Sequence, residues 1–508
     1  MNNKIVTINQ LKQIRETCNK KKKKIVLVHG VFDVVHLGHI EHFKQAKEKG
    51  DILVISLTND KFVKKGINKP YFKIDQRCKF LSSISIVDYI TVSNLDSSIE
   101  VLKNLKPNFY CKGQDYIPKS GDKAGNLILE KKITEKFGGK LFFTSGQQFS
   151  STKILNENFQ DFNLAKDQMK KIFESQKEKD DILNEFYNFL KTFKDKKVLV
   201  IGEVIIDTYI YSSPLGTPSK ETIISVNYEK KKTFLGGAIP VVKNISEINK
   251  QLTFVSLFKD IVVKKKIKKF LGKDINLKLF NQKDYKEVSK NRFINNSTNE
   301  KFFEYYDFNN KEYNNNGLEK YLQKNLKNFD RVIVCDFGHG LFNKKIVNTL
   351  IKESRFLCGN IQTNSGNRGF NLFTKYSKLD FLSIDEPEAR LGLSEKNLDI
   401  LKIMQDKRMK VYKNLMITRG ISGLITRLSN SRKNKTIEFP ALNVKATDTL
   451  GAGDAVYSYV SCLVNKECDP RLISIVGAIA GAIKTNILGH SSWVSINDVK
   501  KSIEAILK

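Results

Sequence analysis

The chain has 508 residues, of which 40% are hydrophobic, and its formal net charge is +33. This length predicts about two to four domains with buried cores, and the lack of a run of about 18 apolar residues argues against a membrane-spanning helix. The seven cysteines are scattered without a CxxC pair, which argues against a disulfide framework and a structural zinc site. The polar N-terminus has no signal-peptide core, so we expect a cytoplasmic protein with no membrane partner.

The positive charge is spread along the chain, and only the lysine run at 20–24 is dense. A protein that binds single-stranded nucleic acid would need a contiguous basic stripe with interleaved aromatic residues, and the sequence has none. A general compositional bias toward lysine therefore explains the charge, and we expect no nucleic-acid partner. Salt-dependent retention on DNA would contradict this expectation.

The first predicted structural element is a βαβ unit at 24–58. A buried strand, a glycine turn, an amphipathic helix beginning near Leu37 and a second buried strand are typical of a parallel sheet. His36 and His39 are three residues apart, so both can face one spot at the helix N-terminus, where free N–H groups favour an anion. Two imidazoles there can donate hydrogen bonds to a phosphate as charge develops. A metal site that includes His42 and a purely structural role are the alternatives.

The rest of the chain divides into a linker and a second block. Residues 158–195 are highly charged, carry apolar residues at helical spacing and contain no Gly or Pro, so we predict a helical linker or a helix packed on one of the blocks. A second buried strand follows, and strands and helices then alternate to residue 508. The predicted fold class is α/β, with two domains at 1–157 and 196–508, each a mostly parallel sheet flanked by helices.

Four motifs in the first block resemble the nucleotidylyltransferase superfamily, which has a Rossmann-like fold. They are the HxGH turn, a basic loop with a following arginine, "CKGQDY" at 111–116 and "FSSTKIL" at 149–155. In that family a phosphate-bearing substrate attacks the α-phosphate of a nucleoside triphosphate, and pyrophosphate leaves without a covalent enzyme intermediate. The resemblance implies that His36 and His39 are catalytic and contact the triphosphate. It implies nucleotide or phosphate binding by Gly30, Phe32, Lys65, Arg77, Ser151 and Thr152.

The most informative string of the second block is "ATDTLGAGD" at 446–454. Gly451, Ala452 and Gly453 form a small-residue turn before an apolar helix, so backbone N–H groups can close around a transferring phosphoryl group. Asp454, in the first helical turn, can accept the proton of an attacking hydroxyl. For an isolated aspartate an ordinary helix cap would be the better interpretation, but the string as a whole is specific.

This string is similar to the signature of the ribokinase/PfkB carbohydrate kinases, in which it forms an anion hole and supplies the catalytic base. Other motifs of the second block resemble the same family and imply two groups of ligand-binding residues. The implied sugar-binding residues are Asp207, Gly236, Gly237 and Asn244. The implied nucleotide-binding residues are Asp385, Glu388, Thr418, Gly420 and Gly423, and Glu388 would also tune a magnesium ion indirectly.

Three departures from the kinase pattern leave the identity of the sugar open. Pro240 stands where the sugar motif usually has Asn, Asp385 replaces an Asn, and an Asn-rich segment at 359–376 replaces the usual "DPK". This segment is either a loop that reflects compositional bias or a substrate- or partner-specific loop. A degenerate, sugar-binding kinase module is therefore kept as the alternative to an active kinase.

Together the two blocks resemble the bifunctional heptose 7-phosphate kinase/heptose 1-phosphate adenylyltransferase family, with the domain order reversed. The resemblance implies a sugar kinase and a sugar-1-phosphate nucleotidylyltransferase that make an activated sugar, such as ADP-heptose for lipopolysaccharide. ATP and Mg²⁺ are then expected, with small sugar phosphates and nucleotides as partners, and relatives of this kind often form homodimers. The alternative is CTP-dependent transfer to a glycerol- or alditol-phosphate at the same HxGH site.

Overall fold

The computed structural model of the chain describes residues 4–63, 70–113, 125–144, 172–173, 175–218, 223–298, 300–429, 436–443, 446, 448–465 and 467–507. The chain divides into two compact units, Met1–Asn163 and Leu164–Lys508. We refer to them as the N-terminal and the C-terminal unit. The boundary itself, and most of the predicted linker at 158–195 up to residue 171, lie outside the described residues.

The N-terminal unit is a single parallel sheet flanked by helices. Its strands are β1 Ile25–Gly30, β2 Ile52–Thr58, β3 Tyr89–Ser93, β4 Phe109–Gly113 and β5 Lys140–Thr144. Its helices are α1 Ile8–Lys20, α2 Leu37–Lys47, α3 Ile74–Ser82, α4 Ile99–Leu105 and α5 Gly125–Lys136. The spatial order of the strands is β3-β2-β1-β4-β5.

The predicted βαβ unit is confirmed in this sheet. Ile25 pairs with Ile52 and Gly30 with Leu57 in a parallel register, and the connecting helix α2 begins at Leu37. Strand β1 also pairs with β4, so the strand order reverses between these two strands. In open α/β sheets ligands bind beyond the carboxyl ends of the strands at such a point. The segment that carries His36 leaves β1 at this edge of the sheet.

The C-terminal unit contains thirteen strands in two sheets among the described residues. They are β6 Val198–Gly202, β7 Val204–Gly216, β8 Ser225–Gly237, β9 Leu252–Phe258, β10 Asn276–Asn281, β11 Val288–Asn295, β12 Lys301–Asp307, β13 Arg331–Asp336, β14 Leu357–Ile361, β15 Leu379–Asp385, β16 Tyr412–Thr418, β17 Leu424–Leu428 and β18 Ile437–Phe439. The large sheet has the order β10-β9-β6-β13-β14-β15-β16-β17-β18, and the small sheet has the order β12-β11-β7-β8. The large sheet is parallel from β10 to β16, whereas β17 and β18 are antiparallel.

Ten helices accompany these strands among the described residues. They are α6 Gln176–Phe193, α7 Ala238–Ser246, α8 Ile261–Leu271, α9 Asn316–Asn325, α10 Lys344–Glu353, α11 Glu386–Leu393, α12 Ile400–Gln405, α13 Ala452–Leu463, α14 Pro470–Lys484 and α15 Ile496–Leu507. Two clusters of buried apolar side chains cover the large sheet, and the last residues of β15 and β16, Asp385 and Thr418, line a cavity.

The charged segment before β6 is a helix that packs on the C-terminal unit. Ser175 caps α6 by accepting a hydrogen bond from the Glu178 backbone N–H, as expected for a serine at a helix start. Its buried face carries Ile182, Phe186 and Phe193, which join the core cluster that also includes α14 and α15. The helix is therefore part of a folded unit over these residues.

The helices and the cysteines were the subject of two expectations from the sequence, on membrane spans and on disulfides. Among the described ranges, every helix is too short or too polar to cross a bilayer. The apolar, Gly- and Ala-rich run at 472–483 lies within α14, whose side chains are almost all buried, so this helix is packed inside the C-terminal unit. All seven cysteines are buried free thiols.

Candidate active sites

The histidine pair of the N-terminal unit sits at the start of α2. His36 occupies the N-cap position, and the rings of His36 and His39 stack with their centroids 3.9 Å apart. The backbone N–H of His36 donates to Nδ1 of His39 at 3.3 Å, so Nε2 of His39 is the nitrogen that carries the ring hydrogen in the neutral form. Burial lowers the pKa of His36. The two predicted catalytic histidines are thus brought together at a helix N-terminus.

Phe32 and Gly30 shape the turn in front of these histidines. Phe32 is buried in a left-handed conformation with a φ of 48°, and its ring packs edge-on against His39 at 5.2 Å between centroids. The Phe32 ring covers Gly30 so closely that a Cβ there would lie 2.9 Å from it. The predicted nucleotide-binding role of Phe32 therefore coincides with a packing role that fixes the His39 ring.

Arg77, which the sequence assigned to phosphate binding, is instead buried, and its guanidinium contacts groups of the protein. Its side chain is buried, and its guanidinium donates to three backbone carbonyls and one carboxylate. The acceptors are Phe72 O at 3.0 Å, Val31 O at 2.6 Å, Thr58 O at 2.9 Å and Asp60 Oδ1 at 2.6 Å. The arginine therefore joins the ends of β1 and β2 to the start of α3. Four of its five N–H groups are engaged within the protein.

The other two histidines of the first block have protein partners. His29 is buried and its Nδ1 lies 3.0 Å from Ser56 Oγ, while burial and Lys112 lower its pKa to about 3. Nδ1 of His42 lies 2.7 Å from Thr144 Oγ1, and burial lowers its pKa to about 4. His42 is half-buried. Within the described part of the chain, no group of three His, Cys, Asp or Glu side chains is arranged to hold a metal ion.

Sequence reasoning assigned no role to two buried residues at this edge of the sheet. Asp33 accepts hydrogen bonds from the backbone N–H groups of Tyr71 and Phe72, both at 2.8 Å, and so fixes the segment before α3. Lys112, at the end of β4, lies 3.5 Å from the buried carboxylate of Glu130. The motif "CKGQDY" was the signal that could have identified Lys112. Lys65, Ser151 and Thr152, which complete the predicted phosphate site, lie outside the described residues.

The second site is a cavity of about 220 Å³ in the C-terminal unit. It gathers predicted residues from segments that are far apart in the sequence. Of these, the cavity is lined by Asp207, Gly237, Asp385, Glu388, Thr418, Gly451, Gly453 and Asp454. Gly451 has a φ of 73°, which only glycine adopts readily, and directly precedes α13. Asp454 is buried in the first turn of that helix. Gly451, Gly453 and the carboxylate of Asp454 thus line one space, as phosphoryl transfer needs, whereas the Ala452 N–H donates to the Thr449 carbonyl at 3.2 Å.

Asp454 accepts a hydrogen bond that the sequence did not reveal. Nε2 of Gln362 lies 2.6 Å from Asp454 Oδ1 and 2.8 Å from Asn360 Oδ1, so both amide hydrogens have carbonyl or carboxylate acceptors. Burial raises the pKa of Asp454 above its ordinary value, although His490, Gln362 and Lys290 each act to lower it. Gln362 belongs to the Asn-rich segment at 359–376.

Asp207 on β7 is held by two basic side chains. Its Oδ1 lies 2.5 Å from Arg292 Nη1, and its Oδ2 lies 3.4 Å from His490 Nε2. Burial alone would raise the pKa of Asp207, but His490 and Arg292 hold it below the ordinary value, so the group is a carboxylate. Gly236 permits this arrangement, because a Cβ there would lie 2.1 Å from Asp207 Oδ2.

The helix after Gly237 contains the departure at Pro240. Pro240 is the third residue of α7, where backbone N–H groups have no acceptor within the helix, so the proline removes no helical hydrogen bond. Asn244 lies outside the cavity lining and is buried between helices. It donates to Ser458 Oγ at 3.0 Å and accepts from the backbone N–H of Val494 at 2.9 Å. Asn244 therefore joins α7 to α13 in this structure.

Asp385 and Glu388 form the reciprocal cap of α11. Asp385 Oδ1 accepts from the Glu388 N–H at 2.7 Å, and Glu388 Oε2 accepts from the Asp385 N–H at 2.9 Å. Burial and the neighbouring charges of Asp385 and Asp454 raise the pKa of Glu388 to about 8. Burial and the neighbouring carboxylates thus disfavour a negative charge on Glu388, and a divalent cation held through water ligands would allow this group to ionise beside the phosphoryl site. Gly420 begins the short turn Gly420–Ser422, Gly423 follows it, and neither glycine lines the cavity.

Asp448, the first aspartate of the string at 446–454, was not assigned by sequence reasoning. Its Oδ1 accepts from the Leu450 N–H and from Lys301 Nζ, both at 3.1 Å. Its Oδ2 accepts from the Gly489 N–H at 2.8 Å and from the Tyr209 hydroxyl at 3.1 Å. Asp448 therefore connects the small sheet to the glycine turn and to the loop that carries His490.

Two family models match the chain in line with these sites. The model described as cytidylyltransferase-like matches residues 27–157, and the model for the pfkB family of carbohydrate kinases matches residues 195–479. The second match covers more than half of the chain. Both matches follow the domain order predicted from the sequence.

Similar proteins were found for each part. The bifunctional protein HldE of Desulfatibacillum aliphaticivorans is 31% identical over 157 residues, which is 30% of this chain and 31% of that protein. HldE of Helicobacter pylori is 39% identical over 111 residues, which is 22% of this chain and 24% of that protein. Each of these alignments spans less than a third of the relative's own length. The crystal structure of phosphofructokinase-2 from Escherichia coli in complex with potassium superposes with a TM-score of 0.50 at 12% identity, covering 62% of this chain and 100% of that chain, which supports the fold of the C-terminal unit.

Proposed function

The chain belongs to the pfkB family of carbohydrate kinases, and we propose that it is a bifunctional enzyme. Its C-terminal unit phosphorylates a sugar or sugar phosphate with ATP. Its N-terminal unit transfers a nucleotidyl group, adenylyl from ATP, to a sugar 1-phosphate. The product is an activated sugar such as ADP-heptose, made in the cytoplasm for lipopolysaccharide. The observation that carries the proposal is the cavity in which Asp207, Asp454 and the glycine turn at 451–453 meet.

The kinase step follows from the positions of these groups. The acceptor sugar binds beside Asp207, and its hydroxyl oxygen attacks the γ-phosphorus of ATP. The bond between that phosphorus and the β,γ-bridging oxygen breaks, ADP leaves, and the hydroxyl proton passes to Asp454. The N–H groups at 451–453 stabilise the charge that develops on the phosphoryl oxygens, and that of Ala452 exchanges its bond to the Thr449 carbonyl for one to the phosphoryl group. The burial of Asp454 and its position in the first turn of α13 support its role in this proposal.

We propose that a magnesium ion binds beside the start of α11. Asp385 and Glu388 would hold it through water molecules together with the nucleotide phosphates. When bound, the ion neutralises phosphate charge. Thr418, at the end of β16, lines the same cavity and is available to the nucleotide.

The transferase step uses the helix N-terminus of the other unit. A phosphate oxygen of the sugar 1-phosphate attacks the α-phosphorus of the nucleoside triphosphate, and pyrophosphate leaves. His36 and His39 stabilise the charge on the α- and β-phosphates through ring N–H groups and the N-terminus of α2. Lys65, Ser151 and Thr152 complete this proposal from the sequence resemblance.

A coupled assay of the full chain tests both activities separately. The protein is incubated with Mg²⁺, ATP or CTP, and a panel of sugars, sugar phosphates and sugar 1-phosphates, while ADP and pyrophosphate are followed independently. ADP from heptose 7-phosphate, and pyrophosphate from heptose 1-phosphate with ATP, support the proposal. Pyrophosphate without ADP across the whole panel would instead support a degenerate kinase module.

CTP-dependent transfer to a glycerol- or alditol-phosphate is the second candidate. The observation that favours it is the cytidylyltransferase-like family match at 27–157. Pyrophosphate release with CTP and such an acceptor, at a rate above that with ATP and heptose 1-phosphate, would support it. We also propose that the protein forms a homodimer, which light scattering of the purified chain tests.

A further inference from the structure

The Asn-rich segment at 359–376 is bound tightly to the end of β13. Nδ2 of Asn364 and Nδ2 of Asn367 both donate to the carbonyl of Phe337 at 2.8 Å. Nδ2 of Asn371 donates to the carbonyls of Asp336 at 3.2 Å and Gln362 at 3.0 Å. Side-chain amides thus satisfy backbone carbonyls that a loop would otherwise leave to water. This dense bonding is more than compositional bias requires of a surface loop.

The result of this bonding is a fixed position for Gln362 in the cavity. Its carbonyl accepts from Asn371, and its side-chain nitrogen lies between Asn360 Oδ1 and Asp454 Oδ1. Because both neighbouring atoms are acceptors, the amide must present its nitrogen, and its orientation is determined. The next residue, Thr363, donates its backbone N–H to Glu388 Oε1 at 2.9 Å.

We propose that Gln362 is a positioning residue for the catalytic base, and that the segment at 359–376 exists to deliver it. The amide engages Oδ1 of Asp454 and so turns Oδ2 toward the acceptor hydroxyl. It also stabilises the ionised carboxylate, which is the form that accepts a proton. The inference rests on the proposed kinase function, in which Asp454 is the base.

The test compares Gln362→Met and Gln362→Glu with wild type in the full chain. Methionine keeps the length of the side chain but cannot donate, and an ionised glutamate places a like charge beside Asp454. A hydrogen bond to a charged group shifts an equilibrium by about 10- to 100-fold. We expect kcat for ADP release to fall about 10- to 100-fold in Gln362→Met, and further in Gln362→Glu. The KM for ATP should stay within about twofold of wild type.

The pH profile separates this role from a merely structural one. Without the amide, burial dominates at Asp454, so its pKa rises further and the acid limb of kcat/KM moves to higher pH. The other titratable groups facing Asp454 are unchanged in the variant. They are His490, Lys290, Lys484, Glu388 and Cys335. The matched control is Gln251→Met, the same substitution at an exposed residue before β9, at the other edge of the sheet.

Each outcome decides between these interpretations. Unchanged kcat and an unchanged acid limb in Gln362→Met would overturn the proposal. A fall in kcat with no movement of the acid limb would show that the segment acts only on packing, and would also overturn the proposal. A fall in kcat accompanied by an equal rise in the KM for ATP would have the same meaning. A wild-type chain that releases no ADP with any acceptor of the panel refutes the kinase function itself, which is a separate result.

Discussion

Replacing Arg77 with methionine distinguishes a phosphate-binding role of this side chain from a stabilising one. A phosphate-binding arginine should affect nucleotide affinity, whereas the buried guanidinium described above should affect stability. We consider Arg77→Met, which keeps an unbranched side chain but removes all of the N–H donors. Three backbone carbonyls, those of Val31, Thr58 and Phe72, lose a hydrogen bond.

The magnitude follows from these contacts. Each lost hydrogen bond contributes about 1 kcal/mol, so the three carbonyls account for about 3 kcal/mol. Asp60 adds little, because its side chain is 24% exposed and water can replace the arginine. A loss of about 3 kcal/mol raises the population of the locally open state about 100-fold.

Hydrogen exchange measured by mass spectrometry on the full chain reports this opening segment by segment. Peptides from β2 and from α3 should lose about 100-fold in protection in Arg77→Met, while peptides from the C-terminal unit should not change. The control is Lys79→Met, which alters an exposed residue of the same helix. If Arg77→Met leaves exchange unchanged but raises the KM for the nucleoside triphosphate, the stabilising role is wrong and the phosphate-binding role is correct.

Three further predictions separate the two activities and test the sugar site. Asp454→Asn should reduce ADP release by about 10²- to 10⁴-fold, the usual contribution of a general base, while pyrophosphate release continues; equal loss of both activities would contradict separate sites. His36→Ala with His39→Ala should lower pyrophosphate release by at least about 10²-fold and leave ADP release intact, and a double variant with normal pyrophosphate release would remove these histidines from the mechanism. Gly236→Ala should raise the KM for the sugar acceptor about tenfold or more, because the new Cβ would lie 2.1 Å from Asp207 Oδ2 and must displace that carboxylate. An acceptor KM equal to that of wild type would show that Asp207 does not contact the sugar.

Local sequence patterns were sufficient for the parts of the fold that a single segment determines. The apolar run before Gly30, the helix that begins at Leu37 and the glycine turn before Asp454 each follow from neighbouring residues. The charged helix α6 was also predictable as a helix. Its packing on the C-terminal unit was one of two alternatives, because an amphipathic pattern does not specify its partner.

The contacts made between distant segments were beyond such reasoning. Gln362 reaches Asp454 across 92 positions, and Arg292 reaches Asp207 across 85 positions. Neither pair has a spacing that a single sequence would reveal. Arg77 was assigned to the phosphate site through the family resemblance, and the carbonyls that accept from its guanidinium come from three separate segments of the chain. Asp448 was overlooked beside the more specific residues of the same string.

The side-chain amides that anchor the segment at 359–376 make it susceptible to deamidation. Asparagine and glutamine are thermolabile residues, and hydrolysis of Asn364 or Asn367 would replace an N–H donor with a carboxylate facing the carbonyl of Phe337. The segment would then be repelled from β13, and Gln362 would no longer be held against Asp454. Prolonged storage at elevated temperature should therefore reduce the rate of ADP release before the rate of pyrophosphate release. The lifetime of the kinase activity would then depend on a few side-chain amides.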